Sequence, residues 1–163
     1  MTGGKDDMIE AFRNGTPVEV WQALVQEAYE RTGRRLDESS ESYLVFVLLR
    51  YQADNMLLSH AQGLDWLQAL ELVGRARADA LRDVGDRCLL VAGLFPGLAE
   101  RRRVSVDYFI TIGRSAYLGV ADVTRQAYAA LYEQLARSYG ELVHTLDAMR
   151  NLPKTYSGTA IRH

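Results

Sequence analysis

Residues 66–97 read WLQALELVGRARADALRDVGDRCLLVAGLFPG. Apolar side chains recur every three or four positions, at Trp66, Leu70, Val73, Ala76, Ala80, Val84, Cys88, Val91 and Phe95. That is the period of a helix with one face turned to a core; a half-buried strand would alternate every second residue. Pro96-Gly97 marks a firm stop, because proline cannot continue the hydrogen-bond ladder. Gly74 leaves two readings open, one long helix or two pieces broken near that glycine.

The flanking sequence carries the same period. On the N-terminal side, Thr16 can cap a helix, Pro17 suits its first position and Glu19 can close a capping box. The face that follows is Trp21, Leu24, Val25, Ala28 and Tyr29, and Gly33 stops it. Met8, Ile9 and Phe12 read as one short turn before Gly15. A second helix is expected from Ser39 or Ser40, continuing to Met56 and Leu57. Its stretch Tyr43–Leu49 is apolar all round, which predicts a central position. On the C-terminal side, Leu98–Arg103 reads as a short basic link, and Ser105 caps a helix whose face is Phe109, Ile112, Gly113, Ala116, Tyr117 and Val120. A turn is expected near Asp122–Thr124. A last helix carries Tyr128, Leu131, Leu135, Tyr139, Leu142, Leu146 and Met149 as far as Pro153. The prediction is all-α: an antiparallel bundle of five or six helices over residues 8–153, with flexible tails at 1–7 and 154–163.

Composition narrows the class. The chain has 163 residues, enough to bury a core, with 48% apolar and 25% charged residues, as ordinary globular domains have. The net charge of −2 provides no global field towards nucleic acid or anionic membrane. The longest apolar run, Tyr43–Leu49, is too short to cross a bilayer, and MTGGKDD has no signal-peptide character. Cys88 is the only cysteine, which fits a reducing compartment. The expected localisation is cytoplasmic.

The stretch LRDVGDRCLLVAGLFPG, followed by VDYFITIGRSAY, resembles a pattern of an uncharacterised bacterial family of helical proteins. The residues that carry it are Gly85-Asp86, Gly93-Leu94-Phe95-Pro96, Tyr108, Gly113, Ala116 and Tyr117, within Leu81 to Tyr117. The resemblance implies a helical fold with a shared structural centre, and no reaction.

Chemical motifs are few. Glu141-Leu-Val-His144 puts a carboxylate and an imidazole on one helix face, but di-iron bundles need two such steps and two further glutamates. His60 has Leu57 where a glutamate would stand, so neither a metal nor another cofactor is expected. Cys88 lies on an apolar face without a local base, the setting of a core thiol and not of a nucleophile. Residues 113–119, GRSAYLG, have the wrong spacing for a nucleophile elbow and follow no strand. The glycines at 3 and 4 begin no phosphate loop. Arg101-Arg102-Arg103 with Arg34-Arg35 could form a basic patch, but Glu100, Asp107 and the acidic balance disfavour nucleic acid.

The remaining set is Asp86, Tyr108 and Tyr117. A carboxylate beside Gly85 on an apolar helix must find donors at a close helix crossing, and tyrosine hydroxyls or an arginine can supply them. The same set could instead be the polar end of a ligand pocket. The first expectation is therefore a non-enzymatic helical binding protein, a regulatory or adaptor module acting on a protein partner or as a homodimer. The alternative is a bundle that binds a small apolar ligand or cofactor near Asp86, Tyr108 and Tyr117.

Overall fold

A computed structural model describes residues 18–52 and 62–153, which form eight helices and no strand. These are α1 (Val18–Thr32), α2 (Glu38–Tyr51), α3 (Gln62–Ala69), α4 (Gly74–Gly93), α5 (Pro96–Arg101), α6 (Val106–Val123), α7 (Gln126–Arg137) and α8 (Tyr139–Arg150). The class is all-α as expected. The count is eight among the described residues, where five or six were expected. The Thr16 cap, Pro17, the Met8–Phe12 turn, the continuation to Met56 and Leu57, His60 and both tails lie outside the described residues.

Three local features account for the higher count. Gly74 has φ +59°, a left-handed conformation that breaks the chain and separates α3 from α4. Pro96 does more than end α4: it occupies the first turn of α5, so most of the expected link is helical. Ser138, at φ −91° and ψ 6°, interrupts what was read as a single last helix. The amide of Leu142 still donates to the Ser138 carbonyl at 2.9 Å, so the break is one residue wide.

The ends of other helices follow from their sequence. Gly33 N–H donates to the Tyr29 carbonyl at 2.8 Å and closes α1, whose buried face is the expected one. Ser105 caps α6 by accepting from the Tyr108 amide at 3.1 Å. α2 starts at Glu38, next to the expected Ser39, and its cap is Asp37. Its carboxylate accepts from the Ser40 amide at 3.1 Å and from the Ser40 hydroxyl at 2.7 Å.

The hub of the bundle is α4, which packs on α3, α5, α6 and α8, most extensively on α6. The centre expected at α2 lies at α4 instead: α2 packs chiefly on α1 and α7, reaches α4 and α6 through Tyr43, and leaves Phe46 49% exposed. Cys88 meets Gly113 and Leu81 meets Gly119, so α4 and α6 run antiparallel. The buried side of α4 is Leu81, Val84, Gly85, Asp86 and Cys88 to Gly93, whereas Val73 lies outside the helix and exposed. The apolar series of residues 66–95 crosses the Gly74 break and is not one face. Tyr128, expected on the core face, is also exposed. Among the described residues no helix is long and apolar enough to cross a membrane.

Candidate functional site: a buried carboxylate centre and an apolar groove

Asp86 is fully buried in α4. Its Oδ1 accepts from the Tyr43 hydroxyl of α2 at 2.8 Å and the Tyr117 hydroxyl of α6 at 2.6 Å. Its Oδ2 accepts from Arg50 Nη1 at 3.3 Å. The other Arg50 nitrogen reaches Asp83 at 2.7 Å, so one guanidinium bridges two carboxylates a helical turn apart. Arg82 and the Tyr51 hydroxyl also donate to Asp83, at 3.2 and 3.4 Å. One carboxylate therefore ties α4 to α2 and α6.

Tyrosine rings enclose this centre. Tyr43, Tyr117 and Tyr132 stack edge-to-face with centroids 5.5–5.9 Å apart, and Tyr139 adds a further edge-to-face contact to Tyr117 at 5.4 Å. The Tyr43 and Tyr132 hydroxyls lie 3.1 Å apart, and Tyr139 donates to the Gly85 carbonyl at 2.8 Å. Gly85 is required by this closeness, since a Cβ there would lie 2.3 and 2.4 Å from two carbons of the Tyr117 ring. Gly113 likewise leaves room for the Tyr139 hydroxyl.

Burial pushes the Asp86 carboxyl up to about 7, against the pull of Tyr117, Tyr43 and Arg50. Burial, and next the charge of Asp86, holds the Tyr43 and Tyr117 hydroxyls well above their ordinary value, so both remain protonated donors. Burial also raises the Cys88 thiol, which disfavours the thiolate a nucleophile needs.

Of the three residues singled out in the sequence, the structure brings Asp86 and Tyr117 together and places Tyr108 elsewhere. Tyr108 is 41% exposed at the start of α6. The reason lies in the spacing: nine residues turn a helix through two and a half turns, so Tyr108 and Tyr117 point to opposite sides. Tyr43, Arg50, Asp83, Tyr132 and Tyr139 were not identified. A signal was there for two pairs, since Tyr43 with Arg50 (i, i+7) and Asp83 with Asp86 (i, i+3) each share a helix face.

Tyr108 instead lines an open groove of about 590 Å³ between α3 and α6. Its wall on α3 is Gly63, Leu64, Trp66 and Leu67, and its α6 side adds Phe109 and Ile112. Arg102 and Val104 also line it. Leu64 and Leu67, one turn apart, are 55% and 56% exposed.

The other candidates are ordinary surface. Glu141 pairs with Arg34 at 3.7 Å, both largely exposed, and His144 is exposed. Arg35 lies over the Tyr29 ring, 4.7 Å from its centroid. Among the described residues no three His, Cys, Asp or Glu side chains gather as metal ligands. Comparison with protein-family models, curated proteins and solved structures gives no significant match.

Proposed function

We propose that this chain is a non-enzymatic binding protein that receives an apolar segment of a protein partner in the groove between α3 and α6. The observation that carries this reading is the pair Leu64 and Leu67, exposed side by side in the wall of an open apolar groove. A monomer gains nothing by holding leucines in water along a groove, and contiguous apolar surface of this kind marks interaction sites. Tyr108 and Trp66 add aromatic surface, the residue class most enriched at binding hot spots. The Asp86 centre has the opposite character. Asp86 is buried, its oxygens accept from three donors, and it joins three helices, which supports a scaffold role.

The experiment is titration with the fluorescent apolar probe anilinonaphthalene sulfonate. The reading expects saturable enhancement by the folded chain that Leu67→Glu removes, with the helical circular dichroism spectrum unchanged. Enhancement that persists in Leu67→Glu, or none in the parent chain, would show that the groove is not an apolar receptor.

A further inference from the structure

We infer that Asp83, Asp86 and Arg50 form a pH-operated latch that holds α2 against the α4–α6 pair in acid and loosens it towards neutral pH. The two helices that donate to Asp86 are held to α4 in different ways. α6 packs extensively on α4, with the Tyr117 ring seated where Gly85 has no side chain, so its bond to Asp86 is backed by close packing. α2 packs chiefly on α1 and α7. It reaches the carboxylates of α4 with polar groups: Tyr43 to Asp86 at 2.8 Å, Arg50 to Asp86 at 3.3 Å and to Asp83 at 2.7 Å, and Tyr51 to Asp83 at 3.4 Å.

The cluster ties its geometry to a proton. Asp86 is fully buried, Asp83 stands one turn away on the same helix, and one guanidinium serves both. A buried carboxyl is cheap when neutral and costly when charged, and it is relieved by water. Burial, and besides it the charge of Asp83, push the Asp86 carboxyl up to about 7. The partly exposed neighbours of Asp86 are Arg50 and Asp83, at 29% and 27%. Both lie at the contact with α2, so water that hydrates the charged carboxylate enters by displacing α2 and not α6.

The other groups facing Asp86 do not titrate in this range. From α2, α6, α7 and α8 they are Tyr43, Tyr51, Tyr117, Tyr132 and Tyr139, whose hydroxyls burial holds above their ordinary value. Arg50 on α2 and Arg82 on α4 stay charged. α3 turns its Asp65 towards Arg87 instead, at 3.6 Å, and α5 brings none, since its Glu100 and Arg101 are exposed. With α2 closed the carboxyl titrates at about 7; with α2 open and Asp86 hydrated it returns towards its ordinary 3.8. The open fraction therefore rises about tenfold per pH unit between these values and levels off above 7.

The test is amide hydrogen exchange of the full chain at pH 5, 6, 7 and 8, corrected for the pH dependence of intrinsic exchange and read on peptides from α2 and α6. In the parent, protection of α2 should fall about hundredfold from pH 5 to 7 and change little from 7 to 8. α6 should stay better protected than α2 at every pH. Asp86→Asn should keep α2 protection level across the range. Asp83→Asn removes the like charge and leaves Arg50 to Asp86 alone, so the fall should level off at a lower pH. Protection of α2 that does not vary with pH in the parent overturns the latch, as does a fall that both substitutions leave unchanged. Equal protection of α2 and α6 with an equal fall also overturns it, because the whole chain then opens as one.

Discussion

Asp86 shows what one side chain does in this fold. Replacing it by alanine leaves the buried Tyr117 hydroxyl without its acceptor, Tyr43 with only the Tyr132 hydroxyl and Arg50 with only Asp83. We predict a loss of about 3–5 kcal/mol for Asp86→Ala, the usual cost of breaking a buried ionic network. Asp86→Asn keeps an acceptor for the two hydroxyls and should cost about 1 kcal/mol. Urea denaturation of the three chains checks this, and equal midpoints would mean that the network carries no stability. The pH dependence has a definite sign. The folded carboxyl lies at about 7, above its ordinary value of 3.8, so the folded chain holds this proton more tightly than the unfolded one. Its contribution is full below pH 4 and is lost as pH rises through 7. The groups facing it are Asp83, which also raises it, and Arg50, Tyr43 and Tyr117, which oppose. Between pH 5 and 8 the parent should lose about 2–3 kcal/mol relative to Asp86→Asn. A constant difference between the two chains across that range would contradict the assignment. A carboxylate amid apolar residues was visible in the sequence. Its partners were not, because they come from helices whose rotation only tertiary packing fixes.

The crossing of α4 and α6 is the element-scale counterpart. A glycine in a helix costs about 1 kcal/mol against alanine, so Gly85→Ala would gain stability if space allowed. The Tyr117 ring occupies that space and is itself fully buried. We therefore predict that Gly85→Ala destabilises by about 1–3 kcal/mol through overpacking. Gly140→Ala in α8 meets nothing within 4 Å and should be neutral or stabilising by up to about 1 kcal/mol. Equal responses to the two substitutions in thermal denaturation would contradict the close crossing. At this scale most of the fold was readable. The face of α1, the Ser105 cap and the face of α6 follow directly from period and capping chemistry. The hub was not, because an all-apolar run drew attention to α2. In α4, glycines replace apolar bulk, and their value lies in the neighbour they admit. The Asp37 cap was missed because Asp37, Ser39 and Ser40 all have capping side chains within four residues, and only the fold chooses among them.

For the whole molecule, the division of labour is between a buried polar centre that joins three helices and an open apolar groove towards the solvent. The groove could not be read from sequence: its walls, α3 and α6, are separated in the chain by all of α4 and α5. Tyr108 was noticed but assigned to the wrong side of α6. Leu67→Glu exchanges a half-exposed leucine for a charge and should shift stability by less than about 0.5 kcal/mol, the usual range for surface changes. A large drop in its denaturation midpoint would mean that Leu67 belongs to the core. The most direct measurement is titration of the parent chain, Leu67→Glu and Asp86→Asn with anilinonaphthalene sulfonate, followed by the fluorescence of the probe. The account predicts parent-like affinity for Asp86→Asn and at least about tenfold weaker binding for Leu67→Glu, the scale of one lost hot spot. Folded Asp86→Asn that no longer binds, beside Leu67→Glu that binds as the parent does, would contradict it and move the site to the buried carboxylate.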